Sequence, residues 1–394
     1  MKLNKTEIKL AVDAFKAVTV VHSHQEDALQ LVLFMLELSP NCAIVNLVGP
    51  TGVGKSLLQA RVVSTVLEDE REAMQRDPDY VPIIRTHALA SGHRQFDWKS
   101  LYRGALTAVG DPFAANRRAL SNAAEATWRS VHTGESRTAA ELRASLEYEF
   151  KKRGTKVWII DEAQHLVFGG RSGRAGDQFD VLKSIAQNAD VKLVLAGPHE
   201  MEAGLASSGQ LARRSATVHL RRYKGDEAHQ LRMFAKVVKT LVSHMKVQGF
   251  PSITENIGFF HSGCAGCIGI MKDWLAKAYG LALRGQSETE PAMLTLNHLR
   301  ETRLAIDAMT SIVNDIRLEE EDLARTSSDQ DFENLVARVP RSSTNRRLPS
   351  SNASSEATGT PSHAGRRLGR VGIRSPAPRD PVPTLETAAY GSKV

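Results

Sequence analysis

The segment Gly49–Ser56, which reads GPTGVGKS, restricts the fold of this chain more than any other feature of its sequence. It fits the pattern G-x-x-x-x-G-K-[ST] and lies between a short apolar run, Cys42 to Val48, and a helical pattern that begins at Lys55. A strand, a glycine-rich loop and a helix in this order form a phosphate-binding loop, in which backbone N–H groups and the helix N-terminus face phosphate oxygens. The motif therefore predicts a site for a nucleoside triphosphate, with ATP and Mg²⁺ as the expected cofactors.

The residue types in this loop are the ones that binding of phosphate and Mg²⁺ requires. Glycines let the backbone curl around phosphate, Lys55 would reach the β- and γ-phosphates, and the Ser56 hydroxyl would be a Mg²⁺ ligand. A chance match in a surface loop is the alternative, and the flanking strand and helix argue against it. The residues predicted to contact the nucleotide are Gly49, Pro50, Thr51, Gly52, Val53, Gly54, Lys55, Ser56 and Leu57.

A second motif, VWIIDEAQHL, begins at Val157 and places two carboxylates at the end of an apolar run. We expect Asp161 to hold Mg²⁺ through water and Glu162 to polarise the attacking water as a general base. The alternative to these roles is that the carboxylates only cap the next helix. Gln164 and His165 follow, and they either face the γ-phosphate or lie on the surface.

Short β-branched runs alternate with helical patterns along the first half of the chain, which predicts a five-stranded parallel sheet covered on both faces. The predicted strands are residues 42–48, 81–89, 157–160, 191–195 and 216–220. After Tyr223 the pattern is helical to about Ile316. The predicted organisation is an N-terminal helical segment (1–40), an α/β core (41–223), a helical lid (224–324) and a tail (325–394).

The tail differs in composition from the rest of the chain. It holds seven of the fifteen prolines, among Ser, Thr, Gly and Arg, and carries 11 Lys or Arg against 6 Asp or Glu. Such a segment buries too little apolar surface to offset its ordering entropy, so we expect a disordered basic tail. Most of the net charge of +7 lies there, so a nucleic-acid surface on the folded part would need local clustering of charge.

The cysteine content and the apolar runs exclude several classes of protein. Three cysteines argue against a disulfide framework, and Cys264 and Cys267 with His261 offer three zinc ligands where four are usual. We therefore expect these cysteines to be small residues at a helix start. No apolar run approaches the roughly 18–20 residues of a membrane helix, and the N-terminus lacks a signal-peptide pattern, so we expect a cytoplasmic protein without membrane contact.

Together the motifs resemble the AAA+ ATPases, and within them the transposition regulators of the TnsC/TniB kind. The similarity covers roughly residues 10–300. Besides the phosphate loop and DEAQHL, it is carried by LVLAGPHE (Leu193–Glu200), QLARRSATVHLRRY (Gln210–Tyr223) and SGCAGCIGIMKDWLAKA (Ser262–Ala278). The resemblance implies an AAA+ P-loop core followed by a lid, with ATP hydrolysis that depends on assembly; the departure from the family pattern at Ala196-Gly197, described below, argues that this hydrolysis is slow.

The resemblance also implies residues that sense the nucleotide from outside the loop. Arg213 or Arg214 occupies the place of an arginine that reaches a neighbouring subunit's γ-phosphate, or the two form a surface basic pair. Gly269–Lys272 matches a lid motif with lysine in place of arginine, so Lys272 is either a phosphate sensor or a solvated residue. One departure is Ala196-Gly197, where AAA+ proteins place a polar residue that orients water; His199 is a possible substitute.

Proteins of the TnsC kind form ATP-dependent rings or helical filaments on duplex DNA. The corresponding region here is Thr86–Arg103, with the cations Arg94, Lys99 and Arg103, and an ordinary charged surface is the alternative. Lysine and arginine on phosphates would give sequence-independent binding that weakens with salt. The implied function is an ATP-dependent homo-oligomer on double-stranded DNA that links a target-selection protein to a transposase and disassembles on hydrolysis.

Two other functions stay open at this point. One is a signalling or scaffolding AAA+ switch, for example a secretion-associated one, that never touches DNA. The other is an origin-recognition or helicase-loader ATPase, which would need a winged-helix domain after the lid; the residues after Ile316 are poor in apolar pattern for one.

Overall fold

The computed structural model describes residues 4–38, 42–90, 96–110, 138–168, 175–202, 214–285 and 292–326. These residues form five strands, β1 Ile44–Val48, β2 Ile83–His87, β3 Val157–Asp161, β4 Lys192–Gly197 and β5 Ser215–His219. The helices among them are α1 Lys5–Ala17, α2 Ser23–Leu38, α3 Lys55–Asp69, α4 Arg71–Arg76, α5 Trp98–Ala108, α6 Ala139–Lys152, α7 Gln164–Phe168, α8 Ala175–Ala189, α9 Ala228–Ser243, α10 Ile257–Cys264, α11 Ile268–Arg284, α12 Leu296–Thr302 and α13 Ile306–Thr326. None of the described helices is long and apolar enough to cross a bilayer.

The five strands form one parallel sheet in the order β2-β3-β4-β1-β5, which confirms the predicted sheet. Strand β4 therefore lies between β3 and β1. In the register of the sheet, Val48 at the end of β1 pairs with Gly197 of β4 and with His219 of β5. The phosphate loop after β1 and the carboxylates after β3 consequently lie at the same edge of the sheet, the one formed by the carboxyl ends of the strands, on either side of Gly197.

Helices cover both faces of the sheet, which explains why the central strands are apolar at nearly every position. One face packs against α5, α6 and α8 around the buried residues Phe150, Trp158 and Phe179. The other packs against α2 and α3 through Val32 and Leu58. A parallel strand with helices on both sides has no solvent face, so β1 and β3 are buried along their whole length.

The helices after Tyr223 form a separate apolar cluster, centred on α11, which buries ten of its seventeen residues. This cluster agrees with the predicted lid. Helix α1 belongs to it as well, because the ring of Phe15 packs edge-on against Tyr279 at 6.1 Å between centroids. The C-terminal tail, residues 325–394, lies almost wholly outside the described residues.

The N-terminal helical segment and the last part of the lid are each divided in the structure. The N-terminal helical segment (1–40) consists of two helices, of which the first ends at Ala17 and the second begins at Ser23, because the β-branched run that begins at Val18 favours extended backbone. The first part packs on the lid and the second on the sheet. Within the lid, Arg303 is extended and separates α12 from α13, which continues to Thr326, beyond the helical pattern predicted to about Ile316.

Cys264 and Cys267 are free and buried, and burial raises the pKa of the Cys264 thiol far above its ordinary value and that of Cys267 to about 12. The imidazole of His261 is not aimed at them, since its Nε2 bonds the Tyr223 carbonyl at 2.8 Å. The two cysteines are core residues beside the start of α11, as the sequence predicted.

Candidate nucleotide-binding site

The phosphate loop joins β1 to α3 through backbone conformations that favour glycine. Gly52 and Gly54 have φ of +74° and +115°, in the left-handed region where a side chain is strained. Lys55 folds back over this loop, and its ammonium donates to the carbonyls of Gly49 at 2.6 Å and Pro50 at 3.1 Å. The loop therefore presents a cation held at its centre together with the N-terminus of α3, which is the arrangement that binds a phosphate chain.

Asp161 lies at the end of β3 with both carboxylate oxygens engaged. Its Oδ1 accepts from Gln59 Nε2 at 2.8 Å and from the Glu162 N–H at 3.0 Å, and its Oδ2 accepts from Arg85 Nη2 at 2.8 Å. Burial alone would raise the pKa of this carboxyl, but the bonds from Gln59 and Arg85 outweigh it and hold the pKa below its usual range. Asp161 is therefore an anion at neutral pH.

Helix α3 connects the loop to this carboxylate. Gln59, which touches Asp161, lies three residues after Ser56, so the two side chains share one helix face. The Ser56 hydroxyl is exposed at the start of that face. Hydroxyl and carboxylate oxygens of this kind are suitable ligands for Mg²⁺, directly or through water, so the residues present fit the predicted metal.

Glu162 is exposed and has an unusual backbone. Its φ is +55°, which is uncommon for a residue with a side chain and is typical of functional sites. Its carboxylate accepts a bond from Gln164 Nε2 at 2.5 Å. The turn thus leaves Glu162 exposed, with its carboxylate on the Gln164 amide and its charge acting on Lys55.

The electrostatic environment of Lys55 includes a residue that the sequence did not single out. Burial lowers the pKa of the Lys55 ammonium, and the charge of Glu319 opposes this most strongly, followed by those of Glu162 and Asp161. Glu319 belongs to α13 and is 5% exposed. In the sequence it is one of a run of acidic residues near the end of the lid, a pattern that usually marks a solvated helix face.

The N-terminal segment also contributes to the site, which the sequence did not reveal. Gln25 is buried at the start of α2, and a Cβ on Gly54 would lie 2.7 Å from its Nε2. His22 Nδ1 lies 3.1 Å from the Tyr223 hydroxyl, and the His24 ring stacks on Tyr223 at 4.3 Å. The start of α2 thus contacts the phosphate loop through Gln25 and the last core residue, Tyr223, through His22 and His24. The sequence feature that could have indicated this contact is the polar run His-Ser-His-Gln, residues 22–25, within an apolar segment.

The lid lies directly on the phosphate loop. The Gly269 N–H at the start of α11 donates to the Gly52 carbonyl at 2.7 Å, and a Cβ on Gly269 would come within 2.5 Å of that oxygen. The lid and the loop are therefore in backbone contact, and a movement of α11 would be felt at the phosphate-binding residues.

Residues 40–205 match the family model described as an AAA domain. The chain carries an AAA+ P-loop fold. The match includes the phosphate loop and the Asp161-Glu162 pair, and its extent agrees with the sheet described above. A search of curated protein sequences gives no match.

Among solved structures, this chain is similar to the ADP form of the Aeropyrum pernix ORC2 protein, with 11% identity and a TM-score of 0.47 over 74% of this chain and 71% of that one. It is also similar to CDC6P from Pyrobaculum aerophilum, with 11% identity and a TM-score of 0.47 over 74% and 69%. A Walker-type ATPase of Pyrococcus abyssi gives 17% identity and a TM-score of 0.44 over 80% of each chain. The fold assignment rests on the family match and the sheet order, and these distant likenesses add nothing about ligands or partners.

The structure describes one of the two arginines that were predicted to reach a neighbouring subunit's nucleotide, Arg213 and Arg214. Arg213 lies outside the described residues. Arg214 is exposed and precedes β5, and its carbonyl accepts from the Ala43 N–H at 2.9 Å. Because β5 and β1 are parallel, Arg214 lies at the edge of the sheet opposite to the phosphate loop. Arg214 therefore has no access to the loop of its own chain, and any contact with a nucleotide would be with that of a neighbour.

Lys272 has a defined partner other than a phosphate. Its ammonium donates to the Lys16 carbonyl in the last turn of α1 at 2.6 Å. Burial lowers the pKa of this lysine, and the neighbouring Asp273 opposes the shift. In this conformation Lys272 caps α1 at its negative end, and its role as a phosphate sensor stays a prediction.

The predicted DNA contacts lie on α5 and in the segment before it. Arg94 is outside the described residues. Lys99 and Arg103 are four residues apart on α5 and share one face, where Arg103 is exposed and Lys99 is half-buried. The opposite face of α5, with Leu101 and Tyr102, is buried against the sheet. The helix thus presents a small cationic face to solvent.

His199, the possible substitute for a water-orienting residue, is engaged elsewhere. Its Nδ1 lies 2.7 Å from Glu202 Oε2, and His219 Nε2 lies 3.5 Å from the other oxygen of that carboxylate. The three side chains offer ligand atoms within 4.8 Å of one another, so among the described residues they are the group suited to a transition metal. His199 is therefore bonded to Glu202, and other side chains lie against Gly197.

Proposed function

We propose that this protein is an ATPase that assembles with ATP into oligomers on double-stranded DNA and so regulates DNA transposition. The observation that carries the proposal is the meeting of the Lys55 loop and the Asp161-Glu162 pair at one sheet edge, with Arg214 at the other. A nucleotide site with its own base at one end of the sheet and an exposed arginine at the opposite end is suited to head-to-tail assembly.

In the proposed site, each group has one task. Lys55 exchanges its bonds to the loop carbonyls for bonds to the β- and γ-phosphates. Ser56 and Asp161 hold Mg²⁺, which neutralises charge on the phosphates when it is bound. Glu162 takes a proton from the attacking water. Arg213 or Arg214 of the next subunit offsets the charge that develops on the γ-phosphate, so hydrolysis depends on assembly.

The DNA-binding part of the proposal rests on the cationic face of α5. Lys99 and Arg103, together with Arg94, would contact phosphates without reading bases, and a ring or helical filament repeats this face along the duplex. Transposition is favoured by the resemblance of two segments, Gln210–Tyr223 and Ser262–Ala278, to transposition regulators. A transposase and a target-selection protein are the partners that this function requires.

The test is assembly of the purified full chain on a labelled duplex with no nucleotide, with ADP, with ATP or with a non-hydrolysable ATP analogue. Sedimentation and negative-stain electron microscopy would report the oligomer. The expected result is a DNA-bound oligomer with ATP or the analogue, weakened by salt, and none with ADP. Oligomers that form with ATP but ignore DNA would instead identify a signalling or scaffolding switch.

Two variants make this test specific. Lys55→Ala should abolish assembly in every nucleotide state, while Lys9→Ala, an exposed lysine on α1, should leave it intact. Arg103→Ala should weaken DNA binding without changing ATP binding. Transposition itself is tested by a mating-out assay in cells that carry or lack this chain beside the transposase of its own locus; an origin or helicase-loader role would leave the assay unaffected.

A further inference from the structure

Gly197 leaves a position without a side chain at the edge of the sheet that carries the proposed nucleotide site. It ends β4, the strand between the phosphate loop and Asp161, and its register partner is Val48. In an open parallel sheet, ligands bind outside the carboxyl ends of the strands, so the end of β4 lies next to the proposed phosphate site. The resemblance to AAA+ proteins calls for a polar side chain here, and glycine has none.

Gln164 fills this position from the neighbouring turn. A Cβ placed on Gly197 would lie 3.0 Å from Gln164 Oε1, 3.3 Å from Met201 Sδ and 3.5 Å from the Gln164 nitrogen. The amide is therefore packed against the α-carbon of Gly197, in space that any larger residue would take. The backbone supports this position, because the Ala163 N–H donates to the Ala196 carbonyl at 2.9 Å and fixes the turn to the end of β4.

The two ends of the Gln164 amide have different environments. The Nε2 group donates to Glu162 Oε2 at 2.5 Å. The Oε1 atom is buried and accepts no hydrogen bond from any of the described residues. A buried amide oxygen without a donor is uncommon, since such atoms usually bond protein or ordered water. The oxygen thus lies beside the proposed general base with its acceptor capacity unused.

We infer that Gln164 orients the water that attacks the γ-phosphate, and so supplies from α7 what Gly197 lacks. This inference rests on the proposed ATPase function. The water donates one hydrogen to Gln164 Oε1 and the other to Glu162. Its oxygen bonds to the γ-phosphorus as the bond to the β–γ bridging oxygen breaks, the water proton passes to Glu162, and ADP and phosphate leave.

The geometry also explains why residue 197 is a glycine. The amide can reach Glu162 and keep its oxygen at this place only because β4 ends without a side chain. The left-handed backbone of Glu162, at φ +55°, turns its carboxylate back towards Gln164 Nε2. The glycine, the strained glutamate and the glutamine are therefore one arrangement, with Gln164 as a positioning residue for water.

The first measurement is steady-state ATP hydrolysis by the full chain with saturating duplex DNA. Gln164→Ala should lower kcat roughly 10- to 100-fold, within the range of a lost positioning group, and leave KM and the dissociation constant for a fluorescent ATP analogue unchanged. Gln187→Ala, an exposed glutamine on α8, is the matched control and should hydrolyse ATP at the original rate.

The second measurement asks whether an amide at this place is what matters. Gly197→Asn in the native background should displace Gln164 and slow hydrolysis, because the added side chain meets Oε1. Combined with Gln164→Ala, the same asparagine enters the vacated space and should recover at least tenfold of the lost kcat. A purely structural role for Gln164 predicts two additive losses.

The outcomes separate this inference from the proposed function. If Gln164→Ala hydrolyses ATP at the original rate while Lys55→Ala is inactive, the inference is wrong and the ATPase function stands. A double variant no faster than Gln164→Ala, or a Gln164→Ala protein that loses ATP binding, also overturns the inference. If the native chain hydrolyses no ATP with or without DNA, both proposals fall.

Discussion

Arg85 Nη2 on β2 lies 2.8 Å from Asp161 Oδ2 on the adjacent strand β3, and Asp161 is almost fully buried. A buried carboxylate whose cationic partner is removed keeps its desolvation penalty without compensation. We expect Arg85→Ala to lower the free energy of unfolding by about 2–3 kcal/mol. Urea unfolding followed by circular dichroism measures it. Arg71→Ala, which breaks the exposed pair with Glu68, is the control and should change stability by less than about 1 kcal/mol.

The ion pair between Arg85 and Asp161 should also affect the binding of Mg²⁺. With Arg85 in place, one oxygen of Asp161 is already satisfied, so a cation near this carboxylate meets competition from the guanidinium. If Arg85→Ala were as stable as the native protein, the ion pair would be a minor contact and the depressed pKa of Asp161 would be due to Gln59.

Glu319 should oppose nucleotide binding. It is buried on α13, it acts on Lys55 through its charge, and its Oε1 lies 3.9 Å from His219 Nδ1. A fixed anion beside a phosphate-binding lysine repels a triphosphate. Glu319→Gln removes the charge and keeps the shape, so we expect roughly 5- to 10-fold tighter binding of a fluorescent ATP analogue.

The control for Glu319 is on the same helix. Glu321→Gln neutralises a half-exposed carboxylate that pairs with Arg317, and it should leave ATP affinity within about twofold. Weaker binding by Glu319→Gln would show that the carboxylate holds Lys55 in position and does not compete with phosphate.

Glu162→Gln should trap the ATP-bound state. The amide cannot accept the proton of the attacking water, so hydrolysis should fall at least 100-fold while ATP binding persists. Complexes with DNA should then last longer, which a competitor-chase assay of labelled duplex would show. Glu200→Gln is the control and should hydrolyse ATP normally. Complexes that dissociate faster in Glu162→Gln would contradict its assignment as the base.

His22 should make the protein sensitive to acid. Burial, with smaller contributions from His24 and Arg61, lowers the pKa of its imidazole from 6.5 to about 4. The unfolded chain therefore takes up a proton first, so the stability that His22 confers is complete above pH 6.5 and is lost as the pH falls towards 4. The full difference is roughly 3 kcal/mol.

Two variants measure this contribution. Denaturant unfolding between pH 7.5 and 4 should show a shallower loss of stability in His22→Asn than in the native protein. His229→Asn replaces an exposed histidine on α9 and should leave the slope unchanged. Parallel pH profiles for the native protein and His22→Asn would rule out His22 as the titrating group.

Local patterns were sufficient for the individual elements. Helix α6, Ala139–Lys152, shows how local this information is, because Thr138 and Glu141 form a capping box at its start and glycine follows its basic last turn. The motifs at Gly49 and Asp161 each carry their own strand, turn and helix, so their chemistry can be read within a few residues. The division of the N-terminal helix at Val18 was missed, because a single helix also satisfies the apolar pattern on both sides of the break.

By itself the sequence determined that a glycine-rich loop follows one strand and a carboxylate pair follows another, since both depend on backbone freedom and residue type over short distances. Only the tertiary structure decided which strand lies between them, and therefore that Gln164 faces Gly197. It also decided that Glu319, more than 250 residues from Lys55, is buried near it. The reason is physical: strand order and helix docking follow from burying three apolar clusters together, and no local stretch of sequence records which distant surfaces will meet.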